Sequence, residues 1–124
     1  MVLNDRIGDT YNSSEKIILK DGESMQMVLI ADILYCNAEG SYTTFHLDGY
    51  KQIITSLNLK EYERMLSPYG FIRSNHSYLV NLNHIVSIQK SDGGYIIMSD
   101  DSNLPLSIRK KATLVEALKS KFVG

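Results

Sequence analysis

From Lys16 to Ser107 the chain is cut into nine short runs of four to six residues, each rich in aliphatic, β-branched or aromatic side chains. A run of that length is a complete strand but less than two turns of helix, so the core has to be built by pairing strands. The runs are Lys16 to Lys20, Met25 to Ile30, Ile33 to Asn37, Tyr42 to Leu47, Lys51 to Thr55, Phe71 to Ser74, Ile85 to Gln89, Tyr95 to Met98 and Leu104 to Ser107. Turn chemistry separates many of them: Asp21-Gly22, Ala38-Glu39-Gly40-Ser41, Asp48-Gly49 and Ser91-Asp92-Gly93-Gly94. Asp-Gly between β-type runs predicts a hairpin, because glycine readily takes the positive φ that a tight turn needs.

Two segments change period. Leu59, Tyr62 and Leu66 recur at i, i+3 and i+7, with Asn58 and Glu61 spaced as in a capping box. Pro68 and Gly70 end that helix. A second helix is predicted from about Arg109 to Phe122, with Leu114, Val115, Leu118 and Phe122 on one face. The expected fold class is therefore mostly β, with many short strands and two packing helices. No internal repeat or low-complexity tract interrupts it.

The length, 124 residues, suits one domain. Hydrophobic residues at 44% and charged residues at 22% are ordinary globular usage, which argues against disorder of the whole chain. Residues 1–14 are polar and punctuated by Gly8, Asn12, Ser13 and Ser14, and read as a linker or tail before a domain at 15–124. No apolar run approaches the roughly 20 residues of a membrane span, and the N-terminus lacks the apolar stretch of a secretory signal. The single cysteine, Cys36, excludes an internal disulfide and a multi-thiolate metal site. Cys36 beside Tyr35 reads as a half-buried packing residue, with no local basic cluster to favour its thiolate. A cytoplasmic setting without a membrane partner is expected.

Charge is near balance overall, at −1, but unevenly spread. Met1 to Glu39 carries seven acids and three bases, while Ser102 to Gly124 carries five bases and one acid. Asp100 and Asp101 lie just outside the basic segment. That asymmetry suits either an anionic partner near the C-terminal end or a solvated lysine-rich helix.

Enzyme signatures are missing from the sequence: there is no Gly-x-Gly-x-x-Gly, Walker A loop, Gly-x-Ser-x-Gly or His-Glu-x-x-His. His46, His76 and His84 match no standard metal spacing, and His46 reads as structural between Phe45 and Leu47. Asp100-Asp101 reads as a solvated turn. The expectation is a binding module, not an enzyme, with no cofactor and no metal.

Two places carry binding chemistry. Arg109, Lys110 and Lys111 fall in the first turn of the second helix, where the positive dipole end disfavours each cation by roughly 0.3–1 kcal/mol. An arriving anion would reverse that sign, since exposed N–H groups and basic side chains would converge on it. The other place is Phe71 to Asn81, where apolar residues bracket Arg73, Ser74, Asn75, His76 and Ser77. These side chains can address phosphates or base edges. Read locally, the same stretch is a polar turn between two strands, with Asn81 as a cap.

Taken in order, several segments resemble the LytTR family of bacterial DNA-binding domains over about Lys16 to Phe122. They are Asp32-Ile33-Leu34-Tyr35, Glu39-Gly40-Ser41-Tyr42, Ser56-Leu57, Phe71-Ile72-Arg73, Ser77-Tyr78-Leu79-Val80-Asn81 and Leu104-Pro105-Leu106-Ser107. The resemblance implies small antiparallel sheets stacked into an elongated β domain, used as the output domain of response regulators in two-component systems. It implies that loops, not a recognition helix, enter the grooves of duplex DNA. On that pattern Ser41 and Tyr42 fall in a first contact loop, Asn75 and His76 in a second, and Arg109 at a third. The chain departs from the family where Ser41 replaces a frequent Asn, Asn75 a frequent His, His76 a frequent basic residue and Ile108 a frequent Arg. The last departure makes Arg109 the substitute basic contact.

The function expected is sequence-specific duplex DNA binding in a bacterial transcription regulator. Arg109 would read a base edge, and Lys110, Lys111 and Arg73 would hold phosphates. A receiver domain N-terminal to this chain and a homodimer on repeated DNA sites are the expected further partners. The alternative is a protein-interaction or small-ligand sensing module that uses a sheet edge or the tyrosine-rich surface.

Overall fold

A computed structural model describes residues 14–124. The linker expected over 1–14 lies, apart from Ser14, outside the described residues. Ten strands and two α-helices follow in chain order: β1 (Lys16–Asp21), β2 (Ser24–Leu29), β3 (Ile33–Glu39), β4 (Tyr42–Leu47), β5 (Lys51–Thr55), α1 (Leu59–Leu66), β6 (Phe71–Asn75), β7 (Tyr78–Asn81), β8 (Ile85–Gln89), β9 (Tyr95–Met98), β10 (Asn103–Pro105) and α2 (Ile108–Lys121). They form three antiparallel sheets, ordered β1-β2, β5-β4-β3-β7-β6 and β10-β9-β8. The expected class, small antiparallel sheets with two helices, is the one observed. No helix among the described residues is long and apolar enough to cross a membrane.

The five-stranded sheet is covered on both faces. Ile33, Cys36, Phe45, Leu47, Ile53 and Leu79 share one cluster with Ile17, Leu19 and Val28 of the β1-β2 hairpin and with Leu59, Tyr62 and Leu66 of α1. Leu34, Tyr35 and Val80 share a second cluster with Ile96, Met98, Leu104 and Leu106 from the three-stranded side, and with Leu114 of α2. A register irregularity between Ile33 and Tyr35 explains how the adjacent Leu34 and Tyr35 both join the second cluster. With both faces covered, Cys36 is fully enclosed at 0% exposure, not half-buried. Burial pushes its thiol pKa well up, which disfavours the reactive thiolate.

Local chemistry accounts for both helix starts. Asn58 Oδ1 accepts from the Glu61 N–H at 3.1 Å. Glu61 turns outward to Arg64 at 2.6 Å, so only the Asn58 side of the expected capping box is seen. At the other helix Pro105 ends β10, since proline has no N–H to extend a ladder. Ser107, expected in the strand, becomes the N-cap instead, and its Oγ accepts from the Lys110 N–H at 3.2 Å. The helix thus starts one residue earlier than expected, at Ile108. Its apolar face is also thinner than expected: Leu114 is fully buried, Val115 and Leu118 are partly so, and Phe122 is 46% exposed.

Candidate nucleic-acid interface

Strand register gathers the candidate residues at one end of the central sheet. Tyr42 pairs with Glu39 across the turn Gly40-Ser41, where Gly40 adopts φ +63°. Asn75 pairs with Tyr78 across the turn His76-Ser77. Because β3 and β7 are neighbours, with the Ala38 N–H donating to the Ser77 carbonyl at 2.9 Å, the two turns emerge side by side. The Ser107 N–H donates to the Ser74 carbonyl at 2.8 Å and brings the start of α2 to that end. Thr43 Oγ1 donates to the Leu57 carbonyl at 2.8 Å and brings the start of α1 there too.

An open groove of about 590 Å³ runs between these elements. Asn75 and His76 line it from the β6-β7 turn, Arg73 from β6, and Arg109 and Lys110 from α2. Ser41 and Tyr42 are exposed at the neighbouring turn, outside the groove, and Lys111 follows on the helix, partly exposed. Sequence reasoning had not included Lys60 and Glu63 of α1 or Ile108 among the site residues, yet all three line the same groove. Lys60 offered a signal, a base in the first turn of a helix. Its nearness to Arg109 depends on how the two helices pack.

The β6-β7 turn is held by its own polar side chains. Asn75 Oδ1 accepts from the Ser77 N–H at 2.8 Å, which closes an Asx turn. Arg73 Nη1 donates to the His76 carbonyl at 2.7 Å. Its Nε lies 3.3 Å from Glu63 Oε1 in an ion pair that lacks hydrogen-bond alignment. The Arg73 side chain is only 17% exposed, so its guanidinium is directed into the fold as well as toward the groove. Arg109, by contrast, is exposed.

The first turn of α2 holds no acid, while its last turn carries Lys119 and Lys121. The C-terminal cations suit the helix dipole and the N-terminal ones oppose it. An anion at the groove would turn that opposition into attraction.

The other two histidines serve the scaffold. The ring of His46 stacks on Tyr35 with centroids 4.2 Å apart and planes at 14°. Asn37 Nδ2 donates to Glu39 Oε2 at 3.3 Å, which leaves Asn37 Oδ1 to accept from His46 Nε2 at 2.6 Å. Burial lowers the His46 pKa, with Asp100 and Glu39 pulling the other way. His84 spans Ala31 O at 2.7 Å and Ser99 Oγ at 3.1 Å.

The scaffold is thus a mostly-β domain that presents two hairpin turns and two helix starts at one end. The model of the LytTr DNA-binding domain matches residues 23–119, most of the chain, and the chain belongs to that family. Among its relatives, the CO-responsive transcriptional regulator RcoM of Rhodospirillum rubrum is 33% identical over 85 residues, covering 68% of this chain and 36% of that protein. The sensory transduction protein LytT of Oceanobacillus iheyensis is 31% identical over 109 residues, covering 85% of this chain and 44% of that protein. The chain thus spans less than half the length of these curated relatives. In fold it is similar to the LytTr DNA-binding domain of a putative methyl-accepting/DNA response regulator from Bacillus cereus. That match has a TM-score of 0.72 at 22% identity, covering 85% of this chain and 97% of the other.

Proposed function

We propose that this chain is the sequence-specific duplex-DNA-binding output domain of a bacterial transcription regulator. The observation that carries the reading is the basic first turn of α2, set beside the Asn75-His76 turn at one end of the sheet. Arg109, exposed and fixed at its backbone by the helix, reads a base edge, with guanine as the bidentate partner. Lys110 and Lys111 hold phosphates, and Lys60 joins them from α1. Asn75 and His76 enter beside Arg109, while Ser41 and Tyr42 meet the duplex from the adjacent turn. Arg73 sets the β6-β7 turn from below through the His76 carbonyl and Glu63.

In the natural protein this domain answers a signal-receiving unit, with a receiver domain N-terminal to it, and works in the cytoplasm as a binding module without catalysis. Two copies on repeated sites form the regulatory unit. The test is selection of bound duplexes from a random pool, then titration of the selected site at several salt concentrations. Three phosphate-directed cations, Lys60, Lys110 and Lys111, give a log–log slope of about −3, at roughly 0.9 per contact. A slope near zero, or no binding at low salt, would refute the reading. Sedimentation on one and two copies of the site reports the stoichiometry.

A further inference from the structure

Ile108 is 83% exposed, the most exposed large apolar side chain in any helix or strand among the described residues. It is the first residue of α2 and lines the groove with Asn75, His76, Arg109 and Lys110, all polar. The core stops short of it: Leu106 is 5% exposed and Leu114 is 0%, whereas Ile108 belongs to neither apolar cluster. A β-branched side chain exposed on a helix gives up propensity and leaves apolar area in water, so it adds nothing to the fold here.

The same position is well prepared for contact. Its backbone is fixed on one side by the Ser107 N–H donating to the Ser74 carbonyl at 2.8 Å, and on the other by the Ser107–Lys110 cap at 3.2 Å. Stiffness at χ1 means that little rotamer freedom is lost on binding. The partner must be apolar and must lie within a polar, anionic surface. In a duplex the C5-methyl group of thymine, in the major groove, meets both conditions. A phosphate oxygen does not.

We propose that Ile108 is a specificity-determining residue that packs on the thymine methyl of a base pair next to the one Arg109 reads. This rests on the duplex-DNA reading above and refines it to one chemical group on one base.

Each thymine of the selected site is replaced singly by uracil, which removes the methyl group and leaves pairing unchanged. One or two positions should lose about fourfold in affinity, the worth of one buried methyl group. The thymine-to-uracil ratio should stay constant from low to high salt, because an apolar contact releases no counterions. Ile108→Ala should bind the thymine and uracil sites equally at that position, and Ile108→Val should retain part of the preference. Both variants should melt with the wild type, since the side chain is outside the core. Indifference of the wild type to every uracil, or a preference that survives in Ile108→Ala, overturns the proposal and leaves DNA binding intact. Absence of any duplex binding overturns both.

Discussion

The two helices begin at the same end of the sheet and obey opposite rules. The first, α1, is capped by Asn58, carries Glu61 in its first turn and buries Leu59, Tyr62 and Leu66. Glu61 offsets Lys60 in the first turn, Arg64 suits the last turn, and the apolar face is complete. The second, α2, is capped by Ser107, opens with Arg109, Lys110 and Lys111, and fully buries only Leu114. One helix has an acid in its first turn and a full apolar face along its length. The other gives up some stability at its first turn and recovers it further along, which is how a binding surface on a small domain differs from its scaffold.

The largest expected effect lies on the scaffold side. Leu66 is fully buried, so Leu66→Ala should cost about 2–5 kcal/mol in urea unfolding. The fraction that remains folded should keep the wild-type salt slope. A stability loss confined to a few tenths would remove α1 from the core and erase the contrast between the helices.

Next comes the split between reading and holding in α2. Arg109→Ala should cost about 1–3 kcal/mol on the selected site and relax preference at one base position, with unfolding unchanged. Lys111→Ala should weaken selected and scrambled duplexes alike and make the salt slope shallower by about 1. Equal losses on both duplexes for Arg109→Ala would make it a phosphate contact.

A smaller and more diagnostic effect comes from making α2 obey the rule of α1. Lys110 stands three residues after the N-cap Ser107, so Lys110→Glu puts an anion at the positive end of the helix dipole. Stability should rise by about 0.5–1 kcal/mol while duplex affinity falls. If affinity and stability both rise, the basic first turn has no role in binding.

The smallest effect is a pH dependence in the scaffold. The folded-state pKa of His46 is lowered from 6.5, chiefly by burial, so the unfolded chain takes up the proton first. Its contribution to stability is full above pH 6.5 and is lost as the pH falls below that value. His46→Gln can still donate to Asn37, and should flatten stability against pH over that window. An unchanged pH profile would show that another group is responsible.

Much of the scaffold was readable along the chain. The Asp48-Gly49 and Asp21-Gly22 hairpins, the Asn58 cap and the Pro68-Gly70 stop all rest on the preferences of single residues. β7 is a harder case. Leu79, Val80 and Asn81 are all buried, so no alternation marks it as a strand, and apart from the family resemblance it stood out as the far side of a polar turn. Asn81 was legible as a cap, since its Oδ1 accepts from the Asn83 N–H at 3.0 Å. Its Nδ2 also donates to the Ile33 carbonyl at 2.8 Å, across 48 positions of sequence, and no local rule announces that.

Periodicity, turn chemistry and capping act over a few residues, so the chain alone settled nine of the ten strands, both helices and the unusual charge at Arg109, Lys110 and Lys111. Proximity across the sheet is different, because it depends on which strands pair and which faces pack. The neighbouring of β3 and β7 sets the turn at Ser41 beside the turn at His76. Packing of α1 near β6 turns Glu63 toward Arg73, so a residue that reads as a phosphate ligand also braces a loop. Where α2 starts leaves Ile108 exposed at 83% in the groove. These relations belong to the tertiary structure, since an ion pair or a groove exists only between segments that the fold has already brought together.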